Sequence, residues 1–251
     1  MNNLFRATLQ DVGLIRDSLD SIASLITEGT FKISHEGIRL TAMDPASVAM
    51  VDFKILPSAF LDFSSQEEHI ITLNIGNFVE VLRRARANDQ ISFELSENKL
   101  RITMKGDFKR NFSLPLIDTP PGSQKIPELS FTGRIILSNS ALREGIKDAA
   151  MVSDCVILEA EPTSFRIRSL GDTSETRMEL TKDSMSLNEL EVNSQISAKY
   201  SIDYFDKMLK GTKIADTVKL QFSTDYPLRM DCTAVDKLQL SFILAPRVDT
   251  D

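Results

Sequence analysis

The sequence predicts an α+β protein of two similar halves, each made of antiparallel sheets with two short helices, and three observations carry that prediction. Short runs of alternating apolar residues, the period of a strand with one buried face, recur through most of the chain. Four stretches instead space their apolar residues by three and four, the period of a helix with one buried stripe. The chain also repeats itself. Asn88-Asp89-Gln90-Ile91-Ser92-Phe93-Glu94-Leu95 lies over Ala215-Asp216-Thr217-Val218-Lys219-Leu220-Gln221-Phe222 without a gap. The same offset carries Phe78 onto Phe205, Leu82 onto Leu209 and Arg83 onto Lys210, and nearly the same offset carries residues 38–44 onto 166–172.

Over residues 10–28, Val12, Ile15, Leu19, Ile22 and Ile26 mark an amphipathic helix that Gly29 would end. Strands are expected at 31–33, 37–40, 48–55 and 70–73, with turn signals at His35-Glu36-Gly37 and Asp44-Pro45. A second helix fits 76–87, with Phe78, Val81, Leu82 and Ala85 on one face and Arg83 and Arg84 on the other. Strands at 90–95, 99–104 and 107–116 complete the first half. Residues 118–130 hold three prolines, a glycine and hardly any apolar residues, so they run extended over a surface as a connector. The expected domains are therefore 1–117 and 131–251, joined by 118–130.

The second half repeats the order. Leu142, Ile146 and Ala149 mark a helix from about Asn139, and strands follow at 156–159, 164–169 and 175–180. The polar stretch 181–193 reads as a loop and 196–200 as a strand. Phe205, Met208 and Leu209 mark the fourth helix, and 218–223, 228–232 and 238–244 close the chain as strands. So many strands need their edges covered, and sheets with helices on one face are the common solution.

Among 251 residues, 42% are hydrophobic and 26% charged, which suits two globular domains with a core in each. No apolar run approaches the roughly 18 residues that span a bilayer, and Met1-Asn2-Asn3-Leu4-Phe5-Arg6 lacks signal-peptide form. Cys155 and Cys232 sit in apolar strand-like runs and read as buried reduced thiols, so an intracellular protein with no membrane partner is expected. A formal net charge of -7 argues against a surface that grips nucleic acid all over, but allows a local basic face.

No glycine-rich phosphate loop, Gly-x-Ser-x-Gly or His-Glu-x-x-His is present, and His35 and His69 lie apart without cysteine partners. Neither a catalytic constellation nor a metal or cofactor site is expected. Asp44 and Asp172, equivalent in the repeat, could support a metal-dependent nuclease, but an Asp beside Pro or Gly commonly makes a turn. The helices say more. Helix two bears Arg83, Arg84 and Arg86, helix three Arg143 and Lys147, and helix four Lys207, Lys210 and Lys213. Helices on one side of a sheet would join these into a basic surface suited to phosphates without reading sequence. The first helix fits less well, offering Arg16 but also Asp11, Asp17 and Asp20.

Over essentially its whole length the chain resembles the sliding clamps of the proliferating cell nuclear antigen type, the archaeal members most. The resemblance is carried by Gly37-Ile38-Arg39-Leu40-Thr41-Ala42-Met43-Asp44, by the connector with Lys125-Ile126-Pro127-Glu128, by Asp225-Tyr226-Pro227-Leu228 and by Leu244-Ala245-Pro246-Arg247-Val248. It implies a ring of three subunits around duplex DNA, with helices lining the hole and strands outside. The bore would present Arg83, Arg84, Lys147 and Lys210, with Arg16, Arg86, Arg143, Lys207 and Lys213. The resemblance also implies a clamp without chemistry of its own that tethers DNA polymerase, clamp loader, flap nuclease and ligase, in the cytoplasm with the chromosome, or in the nucleus of a eukaryote.

Such partners insert a short peptide beneath the connector. Carried over by position, the pocket is Met43, Val48, Ile126, Pro127, Pro227, Ile243, Ala245 and Pro246, with Ser47 and Met50 at its margin. Subunits would join along residues 107–116 and 173–181. Lys109 and Arg110 facing Glu175 and Glu179 are the expected ion pairs, worth only about 0–1 kcal/mol each when exposed, with Phe108, Phe112, Leu114 and Met178 as the apolar contacts. Gln124 and Ile243 depart from some relatives, and a subunit of a heterotrimeric or checkpoint-type clamp would share all these features.

Overall fold

A computed structural model describes residues 5–9, 12–96, 98–118 and 124–248. Its contacts form two units, one of Met1–Asp44, Val51–Ile126 and Thr233–Leu240, the other of Pro45–Met50, Pro127–Cys232 and Ser241–Asp251. Part of the expected connector, 119–123, lies outside the described residues, as do Gln10 and Asp11 of the expected first helix.

The first unit runs β1 (Phe5–Leu9), α1 (Gly13–Ala23), β2 (Glu28–Ser34), β3 (Gly37–Met43), β4 (Ala49–Ile55), β5 (Asp62–Ser65), β6 (His69–Asn74), α2 (Ile75–Leu82), β7 (Gln90–Ser96), β8 (Lys99–Lys105) and β9 (Lys109–Pro115). The second runs β10 (Gly133–Ser138), α3 (Asn139–Ala150), β11 (Cys155–Glu161), β12 (Ser164–Leu170), β13 (Glu175–Thr181), β14 (Leu187–Val192), β15 (Ile196–Ser201), α4 (Ile202–Leu209), β16 (Thr217–Phe222), β17 (Leu228–Ala234) and β18 (Leu238–Leu244). Strand order is β5-β1-β7-β8-β9 and β4-β3-β2-β6 in the first unit, and β14-β10-β16-β17-β18 and β13-β12-β11-β15 in the second. Raising every strand number of the first unit by nine reproduces the second. The repeat in the sequence is thus a repeat of topology.

Each unit packs its two helices together, with one stripe of each buried. That stripe is Ile15, Leu19 and Ile22 in α1, Phe78, Val79 and Leu82 in α2, Leu142, Ile146 and Ala149 in α3, and Phe205, Met208 and Leu209 in α4. Two starts carry side-chain caps: Asn74 accepts from the Asn77 amide at 2.9 Å, and Ser138 from the Ala141 amide at 3.2 Å.

Four expectations need correction. α1 ends at Ala23, because the Leu25 and Ile26 amides both turn back to the Ile22 carbonyl. Gly29 does not cap it; it lies in β2, where a Cβ would come within 2.5 Å of Leu40 and 2.6 Å of Ile75. α2 ends at Leu82, leaving Arg84 and Arg86 in the following turn, where the Asp89 carboxylate accepts from the Arg86 amide at 2.8 Å. The expected loop 181–193 contains β14, whose polar outer residues masked the strand. Strands β1, β5 and β10 were not anticipated; β1 and β5 are only five and four residues long, although β1 alternates apolar and polar residues over Phe5–Leu9.

Both cysteines are free and buried, and burial pushes the Cys232 thiol up to about 12. Asp44 is buried whereas Asp172 is exposed, so the two do not share an environment. Among the described residues no group of three or more His, Cys, Asp or Glu is placed to hold a metal.

Gly37 ends the two-residue turn between β2 and β3 at φ 118°, and an added Cβ would meet the Ile55 carbonyl oxygen at 2.1 Å. Gly37→Ala is therefore expected to cost roughly 2–4 kcal/mol. Gly76→Ala, where the Cβ meets only Asn74 Oδ1 at 3.3 Å, should stay within about 1 kcal/mol. Urea unfolding of the two variants checks this, and equal stabilities would show that the hairpin tolerates a side chain there.

Candidate nucleic-acid interface and docking surfaces

The cations expected on a common face divide by what holds them. In the first unit, Arg16 pairs with its neighbour Asp17 at 2.9 Å and Arg83 pairs with Asp20 of α1. Arg84 and Arg86 are exposed, and the Arg86 guanidinium lies 4.7 Å from the centre of the Phe108 ring. In the second unit, Lys147 pairs with Glu144 and Lys207 with Asp203, both at 2.7 Å. Lys207 also lies over the Tyr204 ring. Lys210 and Lys213 are exposed on the short 3-10 turn Lys210–Ile214 that follows α4.

Arg143 departs from expectation. Its guanidinium turns inward, donating to the Leu209 carbonyl, to Thr212 Oγ1 at 2.8 Å and to Asn139 Oδ1 at 2.9 Å. Its Nε and Nη2 groups are thereby engaged within the protein. The signal was in the sequence as Asn139 four residues before Arg143, a spacing that puts both on one side of a helix.

β9 lies at the end of one sheet and β13 at the end of another, so each has a side with no strand beside it among the described residues. Phe112, Leu114 and Met178 are half-buried in alternation with exposed neighbours, and Phe108 is 51% exposed. Two of the expected cross-subunit charges have partners within their own unit. Arg110 pairs with the buried Asp89 and donates to the Arg84 carbonyl at 2.8 Å. Glu179 accepts from Arg166 at 2.6 Å, which holds its carboxyl below the usual range. Lys109 and Glu175 remain exposed.

Of the expected peptide pocket, Met43 and Ile126 belong to the first unit and are 36% and 38% exposed. In the second unit, the Val48 carbonyl accepts from the Ala245 amide at 2.9 Å, tying Ser47-Val48 to Ala245-Pro246. Ser47 adopts φ 59°, Pro127 is exposed, and Ile243 and Pro227 are half-buried. Met50 is only 5% exposed, so it belongs to the core and not to a pocket margin. The segment before Pro227 is held from beneath. The fully buried Tyr200 donates to the Tyr226 carbonyl at 2.7 Å, the Asp225 amide bonds the Ser197 carbonyl at 3.1 Å, and the Tyr226 ring meets Phe131 edge-on.

Comparison with known proteins adds the following. The family model for the proliferating cell nuclear antigen N-terminal domain matches residues 4–114, and that for its C-terminal domain matches 125–247. A DNA polymerase sliding clamp of Thermococcus gammatolerans is 38% identical over 234 residues, covering 93% of this chain and 94% of its own. One of Nanoarchaeum equitans is 34% identical over 248 residues, covering 97% of this chain and 100% of its own. A crystal structure of PCNA from Thermococcus kodakaraensis superimposes with a TM-score of 0.92 at 29% identity, over 97% of this chain and 100% of that one. That of proliferating cellular nuclear antigen from Entamoeba histolytica gives 0.90 at 24% identity, over 98% and 99%, a likeness of fold.

Tyr200→Phe removes the hydroxyl under Tyr226 while keeping the ring. It is expected to cost about 1 kcal/mol and to speed hydrogen exchange at the Asp225 amide. Unchanged exchange there would show that the segment before Pro227 does not depend on Tyr200.

Proposed function

The chain belongs to the proliferating cell nuclear antigen family, and on that premise we propose that it is a DNA polymerase sliding clamp which closes on itself as a homotrimer around duplex DNA. The observation that carries this reading is the duplicated topology: each unit packs a cation-bearing helix pair together, and each carries an unpaired edge strand. Such a clamp binds by topology, so its phosphate contacts need only be weak, exchangeable and salt-sensitive. It performs no reaction. By holding a polymerase beside its template it raises the effective concentration of that enzyme and therefore its processivity.

Closure of three copies would join β9 of one subunit to β13 of the next, as cyclic symmetry requires complementary edges on every copy. Backbone pairing with Phe108, Phe112, Leu114 and Met178 supplies the contact. With Arg110 and Glu179 engaged internally, the exposed Lys109 and Glu175 are left as the charges able to meet across it. Partner proteins, namely polymerase, clamp loader, flap nuclease and ligase, would each dock a short peptide. The residues offered are Met43 and Ile126 in the first unit and Ser47, Val48, Pro127, Pro227, Ile243, Ala245 and Pro246 in the second, and an aromatic anchor of a docking peptide contributes roughly 2 kcal/mol or more. The site of action is the chromosome.

Light scattering over a dilution series should give about three times the chain mass; a persistent monomer or dimer would move the reading to one subunit of a heteromeric clamp. Arg84→Glu with Lys213→Glu should leave that mass unchanged and shorten retention on circular DNA, more so as salt rises. Retention equal to the parent at every salt concentration would remove those turns from the DNA-facing surface.

A further inference from the structure

Two arginines, one expected at a subunit contact and one on the basic face, are turned onto the segment following the second helix of their own unit. In the first unit, Arg110 reaches from β9, donating from Nη1 to the Arg84 carbonyl at 2.8 Å and from Nη2 to the Asp89 carboxylate. Asp89, 5% exposed, accepts in turn from the Arg86 amide at 2.8 Å. In the second unit, Arg143 reaches from α3 to the Leu209 carbonyl and the hydroxyl of Thr212, a residue with no exposed surface. Asn139 completes that network, accepting from Arg143 at 2.9 Å and donating from Nδ2 to the Thr212 carbonyl at 2.8 Å.

The two arginines are not counterparts in the repeat. Buried Ile15, Leu19 and Ile22 of α1 superpose in sequence on Leu142, Ile146 and Ala149 of α3, which puts Arg16 at the place of Arg143. Arg16 bonds Asp17 instead. Val12 and Ala85 stand at the places of Asn139 and Thr212, so the first unit lacks the groups for the second unit's device. Conversely, β18 contains no arginine to play the part of Arg110. Two units of one topology therefore reach the same mechanical result from different elements. What the two held segments share is their cargo of exposed cations, Arg84 and Arg86 in one and Lys210 and Lys213 in the other.

The carbonyls of a helix's last turn have no partner within the helix, and a chain leaving the helix is free to fray unless something binds them. A guanidinium, planar and always charged, carries five donors in a fixed fork, so it can hold a carbonyl and a second acceptor at once. Lysine offers the same charge as a flexible point and cannot reproduce that geometry. We infer that Arg110 and Arg143 are positioning residues for DNA contact: neither meets a phosphate, and each fixes the turn from which its neighbours do. This rests on the sliding-clamp reading above.

The test is equilibrium binding of a short fluorescein-labelled duplex to the intact clamp over a salt series, with light scattering confirming the same assembly for every variant. Arg143→Lys keeps the charge, yet is expected to weaken binding at least about threefold. The slope of log affinity against log salt should shrink by about one for each lysine that loses its phosphate. In a Lys210→Ala, Lys213→Ala background the same change should add nothing. Amides of 211–214 should exchange faster in Arg143→Lys, and Thr212→Val, which touches no charge, should reproduce the whole pattern and carries the test if Arg143→Lys does not fold. Arg110→Lys against Arg84→Ala, Arg86→Ala makes the matching comparison in the first unit.

Wild-type affinity and slope for Arg143→Lys would mean that charge alone matters there and would overturn the inference. So would full additivity with the lysine changes, or lost stability with unchanged binding. If Lys210→Ala with Lys213→Ala itself leaves duplex binding intact, the DNA reading of this turn falls and takes the inference with it, a pattern distinct from all of the others.

Discussion

Each helix of this protein has a single apolar stripe, and in both units that stripe is buried, which decides what the rest of the surface can do. Burying a Leu or Ile side chain contributes about 1.5–3 kcal/mol, so stripes such as Ile15, Leu19 and Ile22 fix the rotation of their helices. In the second unit the approach is close enough that a Cβ on Gly145 would come within 2.6 Å of Ile167 in β12. With one face of each helix committed, the helix cations lie on the opposite face or in the turns after α2 and α4. The same burial leaves sheet edges to be satisfied elsewhere, and β9 and β13 are among the strands that end a sheet within the described residues.

The periodic part of this design was legible in the sequence. All four helices and most strands declared themselves through spacing, and the match of residues 88–95 to 215–222 foretold two similar halves. The failures fall where periodicity carries no information. β14 alternates poorly because its sequence, Leu-Asn-Glu-Leu-Glu-Val, faces an irregular pairing with β10 that shifts between Ile136 and Leu137. The ends of α1 and α2 are set by backbone turns and by the Asp89 carboxylate, which helical spacing does not register. Arg143 was expected to face DNA and Arg110 to face a neighbouring subunit, and both are engaged within their own unit, because only the three-dimensional position of an acceptor shows where a guanidinium turns.

The charge pattern that remains is more mixed than a basic surface. Arg16, Arg83, Lys147 and Lys207 each sit against a carboxylate of their own unit, and exposed pairs of this kind add little to stability. Their effect is on the ligand side. A phosphate approaching such a cation must compete with a carboxylate already in place, so each contact is weak and easily exchanged. In the clamp reading proposed above, where a duplex is held without being stopped, interleaved acids would keep contacts numerous but shallow, and would reconcile a net charge of -7 with cations that meet phosphate.

Topology and polar detail have therefore followed different rules within one chain. The apolar pattern that specifies strand order tolerates many residue choices, since any side chain of suitable size on the right face will do, and the two units agree in it. A buried polar network is less forgiving, because every donor and acceptor must be matched or left at a cost of about 1–3 kcal/mol. A network in one unit cannot drift into another by single steps without passing through unmatched states. That is a physical reason for two copies of one fold to agree in every strand and yet to fasten equivalent turns with arginines drawn from a strand in one and a helix in the other.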